Sequence, residues 1–111
     1  MARVEDYRQY IQQILKNHAS YQGLVKEIET QTIFDTESDH YQLVYVGWND
    51  EHREYACMVH IDIKNNKIWI QHDSTEIGIA NELIALGVPK EDIVLAFQSP
   101  YKRQFSGFAV G

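Results

Sequence analysis

Residues 71–80, QHDSTEIGIA, place a histidine, an aspartate and a serine side by side. These residue types make up the catalytic triad of many hydrolases. A triad, however, requires its three side chains to converge in space, usually from distant chain positions, beside an oxyanion hole. Because His72, Asp73 and Ser74 are adjacent, their side chains diverge. We therefore do not predict a hydrolytic site in this segment.

The same segment fits the beginning of a helix. Asp73 in the N-cap position and Glu76 three residues later form a capping box, in which each side chain accepts a backbone N–H. Ser74 is the alternative N-cap residue. The two acids also favour the positive end of the helix dipole. We predict that Asp73 and Glu76 cap the helix that follows.

The five histidines form no recognisable metal-binding motif. There is no HExxH, no cysteine cluster and no histidine pair at i and i+4 on a predicted helix. We therefore predict no metal site. His60, near Tyr41, Gln71 and Asp62, is interpreted as part of a hydrogen-bonded polar island on a sheet.

Catalysis and cofactor binding find little support elsewhere in the chain. Cys57 falls among residues predicted to face inward, where a thiol is inert and its pKa is raised. There is no Walker loop and no GxGxxG, so no nucleotide cofactor is predicted. An enzyme that uses His60, Asp62 and Tyr41 is the alternative, but the constellation is weak. We predict a protein that is not an enzyme, with no catalytic residues and no cofactor.

Length and composition indicate one domain over residues 1–111, since 111 residues with 44% apolar content can bury a core of their own. The start of the sequence lacks the apolar region of a secretory signal, and no run approaches the length of a membrane span. A single cysteine fits a reducing cytosol. The net charge is −6, with ten basic residues scattered among sixteen acids. Direct nucleic-acid binding and membrane association are not expected, and we predict a cytoplasmic location.

Periodicity predicts an α+β fold in the order α-β-β-β-β-α-β, an antiparallel meander packed with an N-terminal and a C-terminal helix. Helices show apolar residues at three- and four-residue steps, whereas strands are β-branched or alternating. The predicted elements are a helix at 3–21, strands at 28–34, 40–49, 54–63 and 67–72, a helix at 75–86 and a strand at 93–97.

Turn chemistry predicts the register of the strands. A turn at Asn65-Asn66 and a loop centred on Asp50-Glu51 each fix one hairpin. Gly47 indicates a bulge or a close backbone approach. The first hairpin pairs Ile61 with Ile70, Ile63 with Ile68, His60 with Gln71 and Asp62 with Trp69. The second pairs Val46 with Tyr55, Val44 with Cys57 and Tyr41 with His60.

Strict alternation then assigns the two faces of the sheet. The core face receives Val44, Val46, Trp48, Tyr55, Cys57, Val59, Ile61, Ile63, Ile68 and Ile70. The second face receives Tyr41, Leu43, Tyr45, Ala56, Met58, His60, Asp62, Trp69 and Gln71, and a register slip would exchange the two sets. This second face is too apolar for full solvation, so a helix or another chain must cover part of it.

A homo-oligomer is predicted from these two apolar faces. The segment at 105–111, FSGFAVG, is also apolar, and it either adds to the sheet or packs on a partner. Trp69 is the type of residue that anchors interfaces. The residues proposed for an interface are Tyr41, Leu43, Tyr45, Met58, His60, Asp62, Trp69, Phe105 and Phe108.

Several long blocks of the sequence resemble the XisI family. They are HIDIKNNKIWIQHDSTE, then IANELIALGVPKEDIVLAF, then SPYKR with FSGFAVG; YQLVYVGWND and the first helix match its earlier part. The resemblance covers almost the whole chain and is much more specific than a short motif.

The resemblance implies a function rather than a site. XisI-like proteins, found mainly in cyanobacteria, are described as controlling factors for excision of the fdxN element during heterocyst differentiation. The recombinase is a separate protein, and a XisH-like protein with a nuclease-like fold is the implied partner. The expected function is therefore that of a non-enzymatic accessory factor in DNA recombination that acts through protein contacts. The alternative is an inhibitor or antitoxin-like partner of the XisH-like protein, unrelated to excision.

Overall fold

A computed structural model describes residues 3–20 and 27–111 of the chain. Residue 21 of the first predicted helix lies outside these residues. The helices and strands are α1 (Arg3–Ala19), β1 (Ile28–Asp35), β2 (His40–Asn49), β3 (His52–Lys64), β4 (Lys67–Asp73), α2 (Ile79–Ala85), a 3-10 turn (Lys90–Asp92), β5 (Ile93–Leu95) and α3 (Pro100–Arg103).

The strands form one five-stranded sheet in the order β1-β2-β3-β4-β5. The first three pairings are antiparallel, and β5 joins β4 in parallel after the α2 crossover. The predicted α+β class and element order are confirmed. Strand β5 is shorter than predicted, and the short helix α3 was not predicted. Ala109 bridges to Val94, so the apolar tail adds to the outer edge of β5.

Turn chemistry was predicted correctly. Asn65 and Asn66 both have positive φ, as a two-residue type I′ hairpin turn requires. At Gly47 the backbone of β1 comes so close that a Cβ would lie 2.0 Å from the Glu27 carbonyl oxygen. Gly47 therefore marks a close approach rather than a bulge, since the β1–β2 register is regular there.

The hydrophobic core lies between the sheet and the two longer helices, on a side that we call the helix face. Helix α1 contributes Tyr7, Ile11, Ile14 and Leu15, all of which are buried. Helix α2 adds Ile79 and Leu83. The sheet residues of the same cluster are Tyr41, Leu43, Val59, Ile61, Ile63, Ile68, Ile70 and Ile93.

Polar contacts fix α1 above the sheet. Arg8 donates two hydrogen bonds of 2.8 and 3.0 Å to the Asp39 carboxylate, and the Tyr41 hydroxyl donates a third of 2.9 Å. The Arg8 guanidinium holds the pKa of the Asp39 carboxyl below its usual range. Tyr7 donates to Asp92, so the same helix is also attached to the segment before β5.

Two β-bulges decide which side chains face the core. The β2–β3 register shifts between Leu43 and Val44, which leaves Met58 unpaired in β3. The β3–β4 register shifts between His60 and Ile61, which leaves Gln71 unpaired in β4. Each extra residue reverses the alternation of the strand that contains it.

The bulges correct the predicted faces. Val59, Ile61, Ile63, Ile68 and Ile70 face the core as predicted, and the pairs Val44–Cys57, Val46–Tyr55, Ile61–Ile70, Asp62–Trp69 and Ile63–Ile68 are confirmed. The predicted pairs Tyr41–His60 and His60–Gln71 are wrong: Tyr41 pairs with Ile61, and His60 pairs with His72. The residues wrongly assigned to the core face are Val44, Val46, Trp48, Tyr55 and Cys57.

The predicted capping box is wrong. Helix α2 begins at Ile79, its N-cap residue is Gly78, and Glu76 is exposed. The bulge at Gln71 turns Asp73 towards the helix face, where its carboxylate accepts the Ile79 N–H at 2.7 Å. Asp73 therefore satisfies the first N–H of α2 from six residues upstream.

Asp73 also organises the connection to α2. Its second oxygen accepts the Thr75 N–H at 2.8 Å and the Thr75 hydroxyl at 2.6 Å. Thr75 Oγ1 in turn accepts the Gly78 N–H at 3.2 Å. Asp73 thus contacts the first residue of α2 but is not the N-cap residue that was predicted, because the helix begins at Ile79 rather than directly after Asp73 or Ser74.

Replacing Asp73 with alanine should lower the free energy of unfolding by about 1–2 kcal/mol, because it leaves backbone N–H groups at the α2 start without their acceptor. Glu76→Ala is the matched control, and its effect should stay within about 0.5 kcal/mol. Urea denaturation of the two variants measures both. Equal losses would instead favour a capping box.

Candidate functional site

The sheet surface that faces away from α1 and α2 carries the side chains with the greatest functional potential. We call it the open face. Cross-strand partners share a face, so the register defines its members. They include Ile33, His40, Gln42, Val44, Val46, Trp48, Arg53, Tyr55, Cys57, His60, Asp62, Trp69, Gln71 and His72.

One end of the open face is aromatic and exposed. Trp48 is 49% exposed and Tyr55 is 71% exposed. The Arg53 guanidinium lies over both rings, 5.4 Å from the Trp48 centroid and 5.9 Å from that of Tyr55. This stacked arrangement presents apolar surface in a fixed geometry.

The other end of the open face is a polar cluster. His40 Nδ1 donates to Asp62 Oδ1 at 2.7 Å, and His60 Nε2 donates to the same oxygen at 2.9 Å. Gln71 Nε2 donates to the other oxygen, Oδ2, at 3.2 Å. The hydrogen bond to Asp62 raises the pKa of His40 above its ordinary value. The predicted polar island exists, with His40 in the place predicted for Tyr41.

Helix α3 and the last residues of the chain border the open face beside Trp69. The Lys64 ammonium lies 4.1 Å from the Trp69 ring centroid, and the Arg103 guanidinium lies 5.6 Å from it. The indole N–H donates to the Lys64 carbonyl at 3.0 Å. Trp69 is thus half-buried among its neighbours rather than free to anchor a partner.

The opening HDS cluster does not form a triad. His72 and Ser74 are hydrogen-bonded, with 2.9 Å between His72 Nε2 and Ser74 Oγ. Asp73, however, lies on the helix face and directs both oxygens to Thr75 and Ile79. The aspartate therefore cannot orient the imidazole, as the sequence argument expected.

Cys57 has the properties of a structural thiol. Its Sγ donates to the Val59 carbonyl at 3.2 Å, and burial raises its pKa above the ordinary value. A raised pKa disfavours the thiolate, which is the reactive form. The prediction of an unreactive cysteine agrees with this geometry, although Cys57 lies on the open face rather than in the core.

The predicted interface residues divide into two groups. Tyr41 and Leu43 are fully buried in the core, so their assignment to an interface was wrong. Met58 and Phe108 pack against the core, and Tyr45 lies on the same side as Leu43. His60, Asp62 and Trp69 lie on the open face. Phe105 is exposed on the tail beside this face.

Sequence reasoning missed the aromatic end of the open face. The Val46–Tyr55 pairing, predicted correctly, extends to Trp48 and Arg53, so their proximity was accessible. The face of the sheet on which they lie could not be predicted, because nothing in the sequence marks Met58 as a bulge. His40 was not assigned to the polar island, yet its pairing with Asp62 brings it into the cluster.

The fold defines a small α+β protein with both longer helices on one side of a five-stranded sheet and a partly apolar surface on the other. The family model described as XisI protein matches residues 1–110. The chain belongs to the XisI family. Comparison with curated protein sequences gives no match.

Two solved structures from Anabaena variabilis are similar over nearly their full length. The first, a XisI-like protein, is 44% identical, with 96% of this chain and 97% of that chain covered and a TM-score of 0.90. The second, the fdxN element excision controlling factor XisI, is 32% identical, with 98% and 99% covered and a TM-score of 0.85. The recognition of the XisI family from sequence blocks is confirmed.

Proposed function

We propose that this chain is a non-enzymatic accessory factor that acts through protein contacts made by its open face, in excision of a DNA element of the fdxN type. The observation that carries the proposal is the exposed Trp48–Arg53–Tyr55 stack. Aromatic residues and arginine are enriched at the centres of protein interfaces. The element type comes from the name of the Anabaena variabilis XisI protein.

A protein partner fits this surface better than DNA does. The chain has a net charge of −6, and its ten basic residues are outnumbered by sixteen acids. Nucleic-acid binders neutralise phosphates with clustered Lys and Arg. Arg53, the basic residue at the aromatic end of the open face, already stacks on two rings. In the described part of the chain, no helix is long and apolar enough to cross a membrane. We place the protein in the cytoplasm, acting on a XisH-like protein, the partner that the family resemblance implies.

Inhibition of that partner is the second candidate function. Its support is the same net charge of −6, because an acidic protein can cover a basic nuclease surface by electrostatic complementarity. In this case the chain would resemble an antitoxin, unrelated to excision. The two functions use the same partner but differ in what binding does to nuclease activity.

Trp48→Ala and Tyr55→Ala should each weaken binding to a XisH-like protein by about 30-fold, since loss of an interface anchor costs roughly 2 kcal/mol. Coexpression, purification of the complex and calorimetry measure the affinity. Leu86→Ala is the control, because Leu86 is 40% exposed and lies at the end of α2, on the other side of the sheet. Its affinity should match the unmodified chain, and equal binding by all three variants would contradict the proposal.

The nuclease assay on the same complex separates the two functions. Activation of the XisH-like protein, or no effect on its cleavage of DNA, supports the accessory role. Complete loss of cleavage upon complex formation favours the inhibitor role instead.

We also propose that two copies cover each other's open faces when no partner is present. The exposed side chains of Trp48 and Tyr55 lie on adjacent strands β2 and β3, so they form an apolar surface of the kind that partners cover. Sedimentation velocity at micromolar concentration should show a homo-oligomer that Tyr55→Arg dissociates. A strict monomer would contradict this proposal.

A further inference from the structure

The polar end of the open face contains three groups whose chemistry is that of a metal site. His40 Nδ1, His60 Nε2 and an Asp62 carboxylate oxygen all lie within 4.8 Å of one another. They come from β2 and β3, whose antiparallel register is regular from His40 to Leu43. No metal site was predicted, because the sequence contains no metal-binding motif and His40 was not predicted to lie beside His60 and Asp62.

We propose that His40, His60 and Asp62 bind one divalent transition-metal ion, with Zn²⁺ as the reference ligand. Two imidazoles and one carboxylate form the donor set of three-ligand zinc sites, which leave further positions open. Imidazole nitrogen suits Zn²⁺, Cu²⁺, Ni²⁺ and Fe²⁺, whereas Mg²⁺ and Ca²⁺ prefer oxygen ligands. The site is therefore selective by chemistry for the transition metals.

The geometry requires little adjustment. In a tetrahedral site with bonds of about 2.1 Å, neighbouring ligand atoms lie about 3.4 Å apart. The two histidine nitrogens lie 2.7 and 2.9 Å from Asp62 Oδ1. Both separations must increase by roughly half an ångström, which small side-chain rotations of His40 and His60, both of them partly exposed, can supply.

A supporting hydrogen bond holds the carboxylate. Gln71 Nε2 donates to Asp62 Oδ2, the oxygen that neither histidine contacts, and so leaves Oδ1 for the metal. Ligating carboxylates are typically hydrogen-bonded in this way. Gln71 reaches Asp62 because it is the bulged residue of β4, so the bulge that reverses β4 also builds this contact.

The site is open on one side. The His40 side chain is 57% exposed, His60 is 32% exposed and Asp62 is 17% exposed. Water would complete the coordination in the isolated chain. The proposal does not depend on the partner proposal, because metal affinity is measured without any other protein.

Calorimetry with tag-free, chelator-treated protein should show one Zn²⁺ per chain. His40→Gln and His60→Gln should each weaken binding by more than roughly 100-fold, because each removes a ligand, and Gln71→Ala by about 10–100-fold, because it removes an outer contact. Co²⁺ should give the visible absorption bands of a tetrahedral nitrogen–oxygen site. His40 is exposed, so His40→Gln is expected to fold, which its far-UV circular dichroism checks.

His52→Gln is the control, because His52 is an exposed histidine at the opposite end of the β2–β3 hairpin. Its Zn²⁺ affinity should equal that of the unmodified chain. The proposal is overturned if His40→Gln and His52→Gln bind Zn²⁺ equally, if no Zn²⁺ binds at millimolar concentration, or if Mg²⁺ binds as tightly as Zn²⁺.

Discussion

The arrangement of this protein depends on two β-bulges in the central strands. Strands β3 and β4 each carry one unpaired residue, Met58 and Gln71, where alternation reverses. Without the bulge at Met58, Cys57 and Val59 would lie on the same face of the sheet. Because of this bulge, Val59 faces the core and Cys57 faces the opposite side. Without the second, Asp73 would point away from α2 and could not accept the Ile79 N–H. The composition of the core, the start of α2 and the membership of the open face all depend on these two bulges.

The open face combines two kinds of surface that the helix face lacks. The Trp48–Arg53–Tyr55 stack is apolar, exposed and fixed by cation–π contacts. The His40–His60–Asp62 cluster is polar, partly buried and hydrogen-bonded. An interface needs an apolar centre and specific polar groups, and both are present on one side of one sheet. Membership of the XisI family places this surface in the context of proteins named for control of element excision.

The sequence was sufficient for the order of elements and for both hairpin turns. Positive φ at Asn65 and Asn66 is a local property, so the turn and the register next to it followed directly. The faces did not follow, because a bulge depends on packing across strands and leaves no mark at Met58 or Gln71. Asp73 was predicted to be the N-cap residue of the second helix. It does contact the first residue of α2, but the helix begins only at Ile79 and its N-cap residue is Gly78. His60 and Asp62 were predicted to belong to a polar island, but His40 was missed because it comes from a different strand.

Mapping of the bound surface by NMR tests most directly whether the open face is the binding surface. The ¹⁵N-labelled chain is titrated with the XisH-like protein, and amide shifts are followed residue by residue. The account predicts that shifts and line broadening centre on Trp48, Arg53 and Tyr55, while the exposed α1 residues Gln9 and Gln13 remain unchanged. Perturbation confined to α1, with the open face unaffected, would contradict it.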